Sequence, residues 1–164
     1  MISIREAGKL DITFLPAIEA AADSLLTSIN GLPLQVPLPA GASRIELAAS
    51  LQLLVAGTPC IGFARLEEVD GGAHLEQLAV LPRHAGRGTG RALVEASKAW
   101  ARDHGYPTMT LSTFADVPFN APFYATCGFE AIPVLSPALL ELQRHETALG
   151  LDRIGRRVIM RAVL

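Results

Sequence analysis

The stretch His74–Leu93, HLEQLAVLPRHAGRGTGRAL, runs an apolar strand into a basic, glycine-rich turn and resumes at once as a helix. Glycine is unfavourable inside either element, so Gly86, Gly88 and Gly90 together call for something that comes close to the main chain. A strand, a bare turn and a helix N-terminus make an anion site, because the first N–H groups of a helix lack internal partners and the helix dipole favours negative charge. Phosphate is the natural guest. The P-loop pattern GxxxxGK followed by Ser or Thr is absent, and GxGxxG is not met, since the spacing here is GxGxG. Taken alone, that spacing is equally what a tight loop requires.

Outward from this stretch the chain alternates strands and helices. Upstream, LQLLVAG and CIGFARLEEV are strands joined by a tight Gly57-Thr58-Pro59 turn, and Asp70-Gly71-Gly72 turns the chain into the strand AHLEQLAVL, which makes an antiparallel meander. Earlier still, ISIREA opens as a strand. Apolar spacing at Phe14, Ile18, Ala21, Ala22, Leu25 and Ile29 predicts one helix from Leu10 to about Ser28. The segment NGLPLQVPLPAGAS, with three prolines and two glycines, is expected as a loop, and its apolar Leu32–Pro39 portion as a pocket wall. Ser43 is the N-cap expected for a short helix to about Ser50.

Downstream, the helical pattern Gly88–His104 places Leu93, Ala96, Ser97 and Trp100 on one core face and stops at Gly105. PTMTLSTF is the next strand, and following a helix it can run parallel to its predecessor. NAPFYATC is expected as a short helix, GFEAIPV as a strand, Ser136–Leu149 as a helix stopped by Gly150, and RRVIMRAVL as the last strand. The expected class is α/β with α+β character: a mixed, mostly antiparallel sheet of about six to seven strands flanked by helices.

Composition narrows the function. A chain of 164 residues, 50% hydrophobic, suits one domain over 1–164. A net charge of −2 and a pI near 6.1 argue against nucleic acid as a partner. No apolar run approaches the roughly 20 residues of a membrane span, and the N-terminus carries charges where a signal peptide needs apolar residues, so a cytoplasmic protein is expected. Cys60 and Cys127 form no CxxC pair, and His74, His84, His104 and His145 lack ligand spacing, so no metal is expected.

VLPRHAGRGTG followed by NAPFYATCGF resembles the GNAT superfamily of acyl-CoA-dependent N-acyltransferases. Val80 and Pro82 sit where that family's first motif has V-x-P, Gly86, Gly88 and Gly90 fill its glycine positions, and Asn120, Phe123, Tyr124 and Gly128-Phe129 match the later segment. The resemblance covers about Leu51 to Val134. It implies an N-acetyltransferase with acetyl-CoA as acyl donor and an amine as acceptor, attacking directly in a ternary complex. It further implies that Leu78, Ala79 and Val80 pair with the pantetheine arm and that the loop Ala85, Gly86, Arg87, Gly88, Thr89, Gly90 and Arg91 holds the diphosphate, with Asn120 and Phe123 also at the cofactor. Ala85 departs from the family, which has Gln or Arg there. Its backbone N–H is expected to serve phosphate, with Arg83 or Arg87 supplying charge, and the departure keeps a non-catalytic acyl-CoA sensor as the alternative. The helix between the last two strands is a second departure, and the last strand is a candidate dimer edge.

Attack on a thioester needs a neutral amine, a donor for the oxyanion and a proton for the thiolate. An alkyl amine of pKa about 10.4 is about 99.9% protonated at neutral pH, so a base is required. Strand alternation puts Glu76 on one face with Leu78 and Val80, and two roles stand open for it: base, or ion-pair partner of Arg65. Tyr124 holds the family's tyrosine position and is the candidate acid, with helix packing as its other role. The N–H near Ala79 is the expected oxyanion donor. Phe114 and Phe119 are expected in the core.

Overall fold

Alternation lays down the middle of a sheet, with Leu53, Val55 and Phe63 packing on one face and Leu54, Ala64 and Leu66 on the other. The computed structural model describes residues 1–164. In chain order the elements are β1 (Ile4–Glu6), α1 (Lys9–Asp23), a small hairpin of β2 (Ser28–Ile29) and β3 (Leu32–Pro33), α2 (Arg44–Ala48), β4 (Gln52–Ala56), β5 (Gly62–Val69) and β6 (Gly72–Val80). There follow α3 (Thr89–Asp103), β7 (Thr108–Phe114), α4 (Ala121–Thr126), β8 (Glu130–Ala131), α5 (Pro137–Ala148), α6 (Leu151–Ile154) and β9 (Arg157–Val163). Seven strands form one sheet in the order β1-β4-β5-β6-β7-β9-β8. All neighbours are antiparallel except β6 and β7, as the helix crossover between them requires.

One face of the sheet is covered by α1 and α2 through Leu15, Ile18 and Leu47, the other by α3 through Leu93, Val94 and Ala101. Local chemistry sets the boundaries. Asp11 accepts from the Gly8 amide at 2.7 Å and is gripped by Arg5 at 2.7 and 3.0 Å, fixing the start of α1 to β1. Ser43 and Glu46 close a reciprocal capping box on α2. Asp70 and Gly71, both at positive φ, make the two-residue turn between β5 and β6.

Four expectations are corrected. The first helix ends at Asp23 rather than near Ser28, because Asn30 and Gly31 take φ of 51° and 78° and fold Ser28–Pro33 into a hairpin. Ile29 therefore belongs to a strand, and Phe14 is 59% exposed, while Leu15, Ile18 and Glu19 form the buried stripe. Trp100 is half-buried, stacked on His104 with ring centroids 4.0 Å apart. Phe114 is core, but Phe119 is 51% exposed.

Gly62 on β5 lies opposite Val80, where a Cβ would stand 2.8 Å from the Ala79 carbonyl oxygen, a backbone atom that cannot swing away. Gly62→Ala is expected to lower the unfolding free energy by about 1–3 kcal/mol, as overpacking does. Denaturant titration of the variant beside the wild type reads this directly.

Candidate active site

The parallel pair β6 and β7 is registered only at Ala73↔Met109 and His74↔Thr110, after which the two strands part. A cavity of about 1050 Å³ opens in the gap. Leu81 donates to Ile61 O, so ladder alternation turns the Ala79 backbone toward Phe63 on β5 and leaves the amides of Leu78 and Val80 facing the gap. The Ala79 amide, near which an oxyanion donor was expected, is thus turned away from the gap. Its neighbours Leu78 and Val80 present theirs.

At one end of the gap stands the glycine turn. Gly86 and Gly88 have φ of 72° and 84°, the left-handed region, and Gly88 is the N-cap of α3. The first α3 bond runs from Ala92 N to Gly88 O, and no backbone acceptor meets the amides from Gly86 to Arg91. Ala85 corrects the sequence reading, because its N–H is bonded to Pro82 O at 3.0 Å and is not free for an anion. Arg83 turns its Nε to His84, and Arg91 donates to Thr126 O and Oγ1 at 3.0 and 2.7 Å, bracing α3 against α4. Thr89 is buried and Arg87 exposed, and neither lines the cavity.

Glu76 is placed by an irregularity. Arg65 pairs with Gln77 and Leu66 with Leu75, so Glu76 is the extra residue of a β-bulge. Leu75, Leu78 and Val80 all pack toward α3, so the bulge separates Glu76 from Leu78 and Val80, with which alternation had grouped it, and leaves it on the other face beside His74. Its carboxylate is 41% accessible, lies 3.4 Å from His74 Nε2 and lines the cavity. Burial holds it above the ordinary carboxylate range, partly offset by Arg65. No ion pair joins it to Arg65, whose Nε bonds Glu67 Oε1 and Ser50 Oγ, both at 3.0 Å.

His74 is 1% exposed, and its Nδ1 lies 2.8 Å from Thr110 Oγ1. The Glu76 charge favours the proton on Nε2, which leaves Nδ1 to accept from the Thr110 hydroxyl. Across the gap, Tyr124 lines the cavity and meets Phe123 edge-on, with centroids 5.1 Å apart. Burial pushes its phenol well above the usual range. Asn120 Oδ1 accepts from Thr113 Oγ1 at 2.8 Å, holding the start of α4 against β7.

The far half of the cavity is walled by α1, the segment Leu38–Ala42 and α5. The expected Pro-rich wall is therefore present at Leu38 and Pro39, whereas Leu34 and Val36 pack on Leu26, Phe114 and Ile154 instead. From α5, Glu146 takes a two-point grip from Arg157 at 3.1 and 3.2 Å and a 2.6 Å bond from Ser112. Asp116 is engaged on the surface with Arg156 at 2.9 Å.

A family model described as the acetyltransferase (GNAT) family matches residues 39–129, more than half of the chain. The chain belongs to the GNAT acetyltransferase family. Its fold is shared with Rv2747 from Mycobacterium tuberculosis, solved in complex with CoA, at 23% identity over 99% of each chain and a TM-score of 0.67. The ribosomal-protein-S18-alanine N-acetyltransferase from Escherichia coli matches at 20% identity over 99% of this chain and 94% of its own, TM-score 0.65. The PaiA N-acetyltransferase from Thermoplasma acidophilum, in complex with coenzyme A, matches at 17% identity over 100% and 99%, TM-score 0.64. At these identities the likeness is one of fold.

Within this GNAT fold, His74, Thr110, Glu19 and Asp23 join the site without having stood out in the sequence. His74 carried a signal, an imidazole on a central strand two residues from Glu76, the spacing that puts two side chains on one face of a strand. Burial lowers the His74 pKa to about 4, against 6.5 for the free side chain. A depressed pKa means that the unfolded chain takes up a proton between pH 6.5 and 4 that the folded chain does not, so stability present above pH 6.5 is lost as pH falls through that window. The raised carboxylates act in the opposite sense. The difference between wild type and His74→Gln reports the histidine, and should show a slope of about 1 kcal/mol per pH unit between pH 6 and 4.5. Urea titrations across that range measure it.

Proposed function

We propose that this GNAT family member transfers an acetyl group from acetyl-CoA to an amine by direct attack in a ternary complex. The observation that carries the reading is the open gap between β6 and β7, with the unpaired amides of Gly86–Arg91 at one end and Glu76 and Tyr124 along its walls. The residues fit the donor. Free amides around a left-handed turn at a helix N-terminus suit a diphosphate, and nothing lies within 4 Å of where a Cβ would stand at Gly86 or Gly88. The gap-facing main chain of Leu78 and Val80 can pair with an amide-bearing arm as an added strand would.

The thioester supplies an activated acyl carbon, from which the amine displaces a thiolate. Glu76 takes the proton that keeps the acceptor cationic, directly or through one water, and its raised pKa makes it a better base than an ordinary carboxylate. His74, itself fixed by Thr110, holds that carboxylate in place. The amide of Leu78 or Val80 stabilises the oxyanion. Tyr124 stays protonated at working pH and gives its proton to the leaving sulfur. A thiol of pKa near 8.5 in water is also raised by such burial, which narrows the gap between donor and acceptor.

Two measurements test this. Titration calorimetry with acetyl-CoA and desulfo-CoA should show saturable binding that is lost in Gly90→Glu. A side chain at position 90 meets only ordinary contacts, 3.7 Å from Phe123 Cζ, and an acid in the first helical turn is favoured, so thermal stability should be kept. In a thiol-release assay, Tyr124→Phe should lose about 10²–10⁴ in kcat with CoA affinity unchanged. Glu76→Gln should abolish the acid limb of the kcat/KM profile. Wild-type CoA binding without turnover on any amine would refute the enzyme reading.

A further inference from the structure

Resting on that acyl-transfer reading, the far half of the cavity specifies the acceptor. We propose that the acceptor is a small linear aliphatic diamine or polyamine whose second ammonium group is held by Glu19, where α1 faces Gly41. Glu19 is 8% exposed, lines the cavity and belongs to none of the ion pairs of the fold. Its carboxyl lies in a space that glycine leaves: a Cβ on Gly41 would stand 2.6 Å from Glu19 Oε2. No buried side-chain oxygen or nitrogen is sealed away without a partner, and Glu19 bonds no side chain, so its oxygens keep a face on the open cavity.

The surrounding charges point the same way. Asp23, four residues along α1, shares the face of Glu19 and also lines the cavity. Arg157 is gripped by Glu146 and Arg65 spends its Nε on Glu67 and Ser50, and neither guanidinium forms an ion pair with Glu19, Asp23 or Glu76. Burial raises the Glu19 carboxyl, with Asp23 and Glu76 adding to the shift and the Ala42 amide and Arg65 opposing it. A bound ammonium group reverses that cost. Apolar side chains, Ala22, Leu26 and Leu38, wall the same region and suit methylenes between two amines. An acceptor with a carboxylate beside this end is repelled by Glu19 and Asp23. A monoamine leaves Glu19 without a counter-charge.

The test is calorimetric binding of 1,4-diaminobutane, spermidine and butylamine to the CoA-saturated protein at pH 7.5. The diamine or spermidine should bind at least about tenfold tighter than butylamine, the size expected of one charge-assisted contact. In Glu19→Gln that ratio should fall to near one with CoA affinity retained, which also reports an intact fold. Asp23→Asn, one turn along α1, should lower the ratio as well, and it decides the matter should Glu19→Gln fail to fold. Equal binding of butylamine by the wild type, or a ratio that survives both variants, overturns the proposal. A diamine preference without consumption of acetyl-CoA leaves the ammonium subsite at Glu19 standing and removes the acyl-transfer reading. Turnover of butylamine on a par with the diamines, without preferential binding, does the reverse.

Discussion

The parting of β6 and β7 is the constraint on which the rest of the molecule depends. After two registered pairs the central strands diverge, and the β-bulge at Glu76 adds local twist to the strand that leaves. A sheet opened at its middle exposes main chain where sheets ordinarily hide it. Because α3 starts just beyond the end of β6, the same divergence brings its free amides and the main chain of Leu78 and Val80 to one opening. Side chains then need only line a gap that the backbone has made.

The carboxylates of the cavity divide into two kinds. Glu146, gripped by Arg157 and Ser112, is satisfied internally and ties α5 to β7 and β9. Glu19, Asp23 and Glu76 sit in the same cavity without such a grip, and burial raises all three. A fold that leaves acids unneutralised beside a satisfied one concentrates its electrostatic cost in one place. That asymmetry is the physical basis of the cation preference proposed for the site.

Much of the fold was legible in the sequence because its signals are local. Alternation in LQLLVAG and CIGFARLEEV, the Asp70-Gly71 turn, the Ser43 and Ser136 caps and the stops at Gly105 and Gly150 each specify one element without help from the rest. The parts that were misread are non-local or depend on register. The bulge that separates Glu76 from the face of Leu78 and Val80 involves Arg65 and Leu66 on another strand. The Ala85 amide is lost to a turn that begins at Pro82, and Leu25 and Ile29 fit a helical period that the Asn30-Gly31 hairpin cuts short. That last signal was readable, since Asn-Gly is the residue pair a two-residue hairpin turn favours. Glu19 could not have been singled out, because its meaning depends on Gly41 more than twenty residues away.

The brevity of the β6–β7 ladder bears on how protection is distributed through the molecule. In most sheets the central strands exchange their amide protons last, since exchange there awaits global unfolding. Here the amides of Leu78 and Val80 have no acceptor across the gap. Their protons are open to solvent without any opening of the sheet, while those of Ala79 and Gln77, bonded to β5, are not. Fast and slow exchange thus alternate residue by residue along one buried strand, and the middle of the sheet holds some of its least protected hydrogens.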